Sequence, residues 1–149
     1  MRISRMTARF IPLVLAAVFY FLANSPVSAQ TPVGRWKTID DETGQPKSII
    51  AIWEYNGKLY GKIEDLINPD SPNPLCDKCE GELHNKPIIG MTMMGNLSRD
   101  GDKWSDGWIL DPKKGTTYRC QIWLEGPNQL KVRGFVAFFY RTQTWYRMP

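Results

Sequence analysis

Apolar residues fall at every second position through most of the chain, and the alternation breaks where Gly, Pro, Asn and Asp cluster. That is the period of half-buried strands joined by turns. The clearest punctuation is Asn56-Gly57, between Ser48–Tyr55 and Lys58–Leu66. Asn and Gly both accept the positive φ of a type I′ turn, so a two-residue hairpin is expected there with a defined register. Tyr55 should face Lys58, Trp53 Tyr60, Ala51 Lys62 and Ile49 Glu64. On the other face Glu54 should meet Leu59, Ile52 Gly61 and Ile50 Ile63. The second face is the more apolar, so Ile50, Ile52, Leu59 and Ile63 are expected in the core and Trp53/Tyr60 outside. Glu54 then falls on the core side beside the turn, at a rim, because a lone buried carboxylate is costly.

The same reading places strands at Gly34–Thr38, Ile88–Leu97, on both sides of Asp111-Pro112-Lys113-Lys114-Gly115, at Gln129–Phe138 and at Thr142–Met148. In Ile88–Leu97 the side expected inward is Ile89, Met91, Met93 and Leu97. In the strand after Gly115, Tyr118, Cys120, Ile122 and Leu124 share the core face. Asp111, Pro112 and Gly115 read as turn chemistry: Asp caps, Pro presets φ and Gly takes the positive φ. Residues 67–87 break the rhythm, with Pro69, Pro72 and Pro74 ahead of Cys76-Asp77-Lys78-Cys79. Prolines so close together exclude a ladder strand, and a long irregular stretch in a small domain is often functional. A short helical turn could fit within residues 67–84, and no other segment after residue 29 has a helical period. Eight strands joined in order predict an all-β fold, an antiparallel up-and-down barrel whose closure removes edge strands. A two-sheet β-sandwich is the alternative.

The N-terminus changes the boundaries. Arg2, Arg5 and Arg9 precede an apolar run, Phe10–Ala23, and Val27-Ser28-Ala29 has the small-x-small pattern of a cleavage site. Residues 1–29 are therefore expected to be a signal peptide; the run is shorter than the ~20 residues that span a bilayer. Removing 29 of 149 residues leaves 120, residues 30–149, a single domain, with no membrane span expected after cleavage. The protein is expected to be periplasmic or secreted. Of 19 Lys and Arg, three lie in the signal, leaving 16 against 15 Asp and Glu, so the overall basicity gives no argument for nucleic-acid binding. All six Trp follow the signal, which suits an aromatic core or a ligand-facing wall.

In an oxidising compartment Cys76 and Cys79 are expected to form a disulfide. A thioredoxin-type pair would want a βαβ context. Haem attachment would want His where Glu80 stands. Zinc held by Cys76, Cys79 and His84 would lack a fourth ligand. Cys120, on the core face, reads as a buried free thiol. Asp100, Asp102 and Asp106 do not meet the calcium-loop pattern, since Trp104 and Lys113 occupy two of its ligand positions. His84 is the single histidine and no nucleophile elbow, Walker loop or HExxH helix is present, so no catalytic residue, cofactor or metal is assigned. Glu54, Trp108 and Tyr118 are the candidates to line a cavity; Arg133 lies opposite Leu130, Val132 and Gly134 and should face outward.

Gly34-Arg35-Trp36, Tyr60-Gly61-Lys62-Ile63, Lys86-Pro87-Ile88-Ile89-Gly90, Asp106-Gly107, Asp111-Pro112, Gly115-Thr116-Thr117-Tyr118, Leu130-Lys131-Val132-Arg133-Gly134 and Arg141-Thr142-Gln143-Thr144-Trp145-Tyr146-Arg147 occur in this order. The set resembles a secreted bacterial family known as domain of unknown function 2147, over essentially the whole chain after the signal. The family commonly has an aromatic residue where Leu110 stands before Asp111-Pro112. The resemblance implies a lipocalin-like barrel and supplies no activity. It also implies structural roles for Gly34, Trp36, Gly134, Trp145 and Arg147, with Arg147 packing on Trp36 as a cation–π contact of ~0.5–2 kcal/mol. The expected function is a non-enzymatic domain that binds a small apolar or amphipathic ligand. The alternative is a ligand-free barrel, filled by its own side chains, acting as an envelope-associated protein-interaction module through Trp53/Tyr60 and the Cys76–Cys79 loop. No particular protein partner is indicated.

Overall fold

The Asn56-Gly57 turn is formed as its residues demand, with φ of 49° and 74°, and it joins two strands paired from Tyr55↔Lys58 onward. In a computed structural model describing residues 30–149, eight strands follow in chain order: β1 (Gly34–Ile39), β2 (Pro46–Tyr55), β3 (Lys58–Leu66), β4 (Thr92–Asp100), β5 (Lys103–Asp111), β6 (Thr116–Leu124), β7 (Gln129–Val136) and β8 (Phe139–Arg147). Each pairs antiparallel with the next, and β8 returns to β1 through Trp36↔Arg147 and Lys37↔Tyr146. The sheet is thus a closed up-and-down barrel and not a sandwich. The signal peptide expected over residues 1–29 lies outside the described residues. No helix among the described residues is long and apolar enough to cross a membrane.

The β2–β3 register follows the turn from Tyr55↔Lys58 to Ile50↔Ile63 and then slips, because Ile49 pairs with Asp65 and leaves Glu64 as an extra residue. A turn dictates pairing only as far as the first bulge. A second departure is β4, which begins at Thr92 where the alternation had suggested Ile88. Ile88–Met91 instead belongs to the preceding loop, tied down by Ile63 N–H to the Met91 carbonyl (2.9 Å). Within β4, Asn96 takes φ 57°, so Met94 and Leu97, three apart, both reach the core at 0% exposure. A third is the last hairpin. It turns at Ala137-Phe138, and β8 starts at Phe139 where the sequence had suggested Thr142.

The core is the barrel interior. Ile50, Ile52, Leu59 and Ile63 keep no more than 3% of their surface, as the hairpin register required, and Trp36, Ile122, Leu130 and Trp145 no more than 1%. Trp53 and Tyr60 stack outside, with ring centroids 5.9 Å apart.

The two ends differ. At the end carrying the β2–β3 turn, Arg147 stacks on Trp36 at 4.2 Å and donates to the carbonyls of Val33 (3.0 Å), Thr31 (2.9 Å) and Pro127 (2.7 Å). Trp36 Nε1–H donates to Pro32 (2.8 Å), so the N-terminal segment is pinned across this end and closes it. Gly34 is required here, since a Cβ on it would lie 2.9 Å from Arg147 Nη1 and its φ is 135°.

At the other end, residues 67–91 fold back over the outer face of β5. Cys76 and Cys79 are joined as a disulfide and are buried with Met91 and Leu110 in a small cluster outside the barrel, with Ile88 and Trp108 against it. A 3₁₀ turn, Gly81–Leu83, completes the loop. The loop sits on the β5–β6 turn. Gly115, at φ 68°, has the Lys78 carbonyl where a Cβ would be, and Cys76 Sγ lies 3.5 Å from the Pro112 carbonyl oxygen. Asp111 caps that turn by accepting from Lys113 N–H (3.0 Å), and its carbonyl accepts from Gly115 N–H (2.8 Å).

Candidate functional site

Parity along β6 decides what looks into the open end. Cys120 and Ile122 are buried at 1% and 0% exposure, and Tyr118, two residues nearer the mouth on the same face, is only half-buried. The neighbouring strands behave alike. Val132 (3%) gives way to half-buried Gly134 on β7, and Trp145 (1%) to half-buried Gln143 on β8. Ile109, which pairs with Tyr118, is half-buried too. On β5 to β8, part-exposed inner residues therefore stand above fully buried ones, and at this mouth of the barrel full burial begins at Cys120, Val132 and Trp145.

Gly134 matters to this mouth. A Cβ there would meet only Tyr118 Cβ at 3.8 Å and Ile109 Cγ2 at 3.9 Å, ordinary contact distances. No clash demands glycine: a Cβ would fit in ordinary contact with Tyr118 and Ile109, and anything larger would project into the mouth beside them.

One side of the rim is polar. Arg141, opposite Gly134, pairs with Asp41 at 2.9 Å. Gln143 Nε2–H also donates to Asp41. The Gln143 Oε1 accepts from Trp145 Nε1–H at 3.1 Å, joining the rim to the floor. Lower down, the Thr38 and Ser48 hydroxyls hydrogen-bond each other at 2.7 Å, which satisfies two buried polar groups inside the barrel. Cys120 in the floor is the free cysteine. Burial pushes its thiol up to about 12, so it is a neutral, inert wall residue at physiological pH.

The three residues expected to line a cavity are not brought together. Tyr118 lies in the mouth. Trp108 faces outward, where a Cβ on its partner Gly95 would meet Trp108 Cζ2 at 3.1 Å and Tyr60 at 2.8 Å. Glu54 is exposed on the last turn of β2, at the closed end. Arg133 is on the outer face, as parity indicated, stacked over Tyr140 at 4.1 Å and Trp123 at 4.9 Å. The rim residues Asp41, Arg141 and Gln143 were not singled out from the sequence. Their one signal is that Gln143 shares the parity of Trp145.

Two clefts lie outside the mouth. One, of about 320 Å³, separates the disulfide loop from β6 and is lined by Cys79, Glu80, Leu83, Leu110 and Thr117. The other, of about 180 Å³, lies at the closed end beside Pro32, Arg99, Trp104 and Leu124. His84, the single histidine, is engaged within the loop, with Nδ1 3.0 Å from the Cys79 carbonyl oxygen and Nε2 3.1 Å from Asn85 Nδ2. Among the described residues no group of three His, Cys, Asp or Glu side chains is arranged to hold a metal ion.

Comparison with solved structures returns a matching barrel. Protein HP1028 from the human pathogen Helicobacter pylori, described as belonging to the lipocalin family, superimposes with a TM-score of 0.69 over 78% of this chain and 82% of its own, at 18% sequence identity. At that identity the likeness shows the fold alone: a lipocalin-like eight-stranded barrel. No curated protein matches the chain in sequence. The family model described as "uncharacterized protein conserved in bacteria" matches residues 34–147, all eight strands, and the chain belongs to that family, DUF2147.

Proposed function

We propose that this protein is a non-enzymatic, periplasmic or secreted lipocalin-like domain that takes a small apolar or amphipathic molecule in the open mouth of its barrel. The observation that carries this reading is the layer of half-buried inner residues, Ile109, Tyr118, Gly134 and Gln143, above a fully buried floor. Concave sites lined mostly by apolar and aromatic groups with a few fixed polar ones are the usual form of a small-ligand pocket. Ile109 and the Tyr118 ring supply the apolar wall, and Arg141, Asp41 and Gln143 supply directional polar groups at the rim. The filled floor confines the ligand to the upper part of the barrel. A compact molecule, or one end of a longer amphiphile, suits that depth better than a long chain threaded through the barrel.

Native mass spectrometry of protein from its own host tests the reading, together with the variant Gly134→Trp. The indole would project into the mouth beside Tyr118 and obstruct it, while the backbone at Gly134, with no positive φ, accepts a side chain. A co-purifying small molecule that is lost in folded Gly134→Trp is the expected result. A ligand retained by that variant, or wild-type protein that is empty in every preparation, would refute it.

A further inference from the structure

The β7–β8 hairpin carries large apolar residues where turns ordinarily carry polar ones. Val136 is 53% exposed, Phe138 98% and Phe139 76%. Ala137 takes φ 51°, a conformation that Gly or Asn adopts more readily, so the turn tolerates backbone strain while keeping an apolar tip. Beyond the contacts of Arg141 and Gln143 with Asp41, the tip of the hairpin has no strand beside it on the β1 side. β8 pairs with β1 only at Arg147 and Tyr146, so Phe139–Thr142 reach beyond the β1 ladder at the open end.

Behind the tip, the outer face holds a stripe of cations stacked on aromatic rings. Arg119 lies over Phe135 at 4.8 Å, Arg133 over Tyr140 at 4.1 Å, and Lys103 over Trp123 at 4.8 Å. None of these three cations is in an ion pair among the described residues; Arg35, Lys47, Lys113, Lys131 and Arg141 are the paired ones. A π face holds a guanidinium in place without using its N–H groups; Arg133 spends its Nε–H on the Thr142 hydroxyl (2.8 Å), which leaves its terminal N–H groups to donate outward.

We propose that this hairpin docks the domain on an anionic lipid bilayer, with Val136, Phe138 and Phe139 entering the headgroup–acyl boundary and Arg119 and Arg133 taking lipid phosphates. Charge complementarity selects this occupant. A neutral apolar partner would cover the phenylalanines and leave the cations uncompensated, whereas an anionic bilayer surface meets both features on one face, formed by the β7–β8 hairpin and Arg119 of the adjoining β6. The tip lies at the open end of the barrel, so docking turns the mouth towards the lipid.

The test is co-sedimentation of Gln30–Pro149, which contains every strand of the closed barrel, with vesicles of phosphatidylcholine alone or with one-third phosphatidylglycerol. Binding to the anionic vesicles should be stronger by about tenfold or more and should weaken as salt rises. Phe138→Ser/Phe139→Ser, at positions too exposed to threaten folding, should lower it by a further factor of about ten. Arg119→Gln/Arg133→Gln should remove the preference for phosphatidylglycerol. Gly134→Trp should bind vesicles as the wild type does, which separates this surface from the mouth. Equal sedimentation of wild type and Phe138→Ser/Phe139→Ser would overturn the proposal. So would equal binding to both vesicle types, or a dimer in sedimentation velocity that depends on the two phenylalanines and is accompanied by no vesicle binding.

Discussion

Gly115→Ala is the sharpest probe of how the irregular loop is held. Two independent costs meet at this position. The first is conformational: Gly115 sits at φ 68°, where an L side chain costs about 1–2 kcal/mol. The second is contact, because the Cβ would fall on the Lys78 carbonyl, and backbone meeting backbone leaves no rotamer to yield. The loop must then lift from the β5–β6 turn, exposing at least part of Met91 and Leu110, now at 6% and 4%. Full exposure of two such side chains costs about 3–6 kcal/mol, and partial exposure about half of that. The control is Gly126→Ala. Its φ of 72° imposes the same conformational cost, but a Cβ there meets nothing within 4 Å. Urea unfolding followed by tryptophan fluorescence, with the disulfide intact, should place Gly126→Ala about 1–2 kcal/mol below wild type and Gly115→Ala lower by roughly a further 2–3 kcal/mol. Hydrogen exchange should show amides of residues 76–88 losing protection only in Gly115→Ala. If the two variants agree within about 0.5 kcal/mol, inside the usual scatter of surface substitutions, the loop is not docked through this turn.

Two further outcomes follow from the same geometry. Arg147→Ala removes the stacking on Trp36 and three donors to the carbonyls of Thr31, Val33 and Pro127, and should cost roughly 2–4 kcal/mol. Arg147→Lys should recover less than half of that, since an ammonium cannot serve the three carbonyls as a planar fork does. An unchanged urea midpoint for Arg147→Ala would contradict the closure of this end. Thiol titration at pH 8 should find no reactive group in the native protein, because Cys120 is buried and its thiol is pushed up to about 12. One thiol should appear in denaturant and three after reduction; three without reductant would rule out the Cys76–Cys79 disulfide.

The parts of the fold legible in the sequence are those set by local chemistry. Asn56-Gly57 named its turn, and the turn carried the register as far as Ile50↔Ile63. Asp111, Pro112 and Gly115 named theirs, although nothing in the residue types reveals that Gly115 is also the seat of the disulfide loop. What stayed hidden traces to bulges and to one unmarked turn. Trp104 and Trp108 have the same parity, so alternation would send both inward or both outward. Asp106 at φ 60° breaks the ladder between them, and Trp104 enters the core while Trp108 leaves it. The β7–β8 turn is unmarked in the sequence, because Ala137 gives no turn signal. The mouth was half legible: parity with Cys120 identified Tyr118. Where burial stops along each strand is set by the barrel's shear and loops, which periodicity does not encode.

The two ends of the barrel also divide stability from access. The closed end spends its polar groups on itself, with Trp36, Arg147 and the Pro32, Val33 and Pro127 carbonyls joined in one hydrogen-bonded and stacked unit. At the open end the loop stabilises itself from outside, through Cys76, Cys79, Met91 and Leu110 packed on the outer face of β5, and not by plugging the interior. A loop anchored on the outer wall can hold the rim rigid and leave the entrance free. A loop folded inward would have had to bury Tyr118 and Gln143, which instead remain half-exposed. Arg141→Ala at the exposed rim should therefore act on the proposed ligand binding at little cost to folding, whereas replacing Gln143 would also strand the buried Trp145 indole N–H.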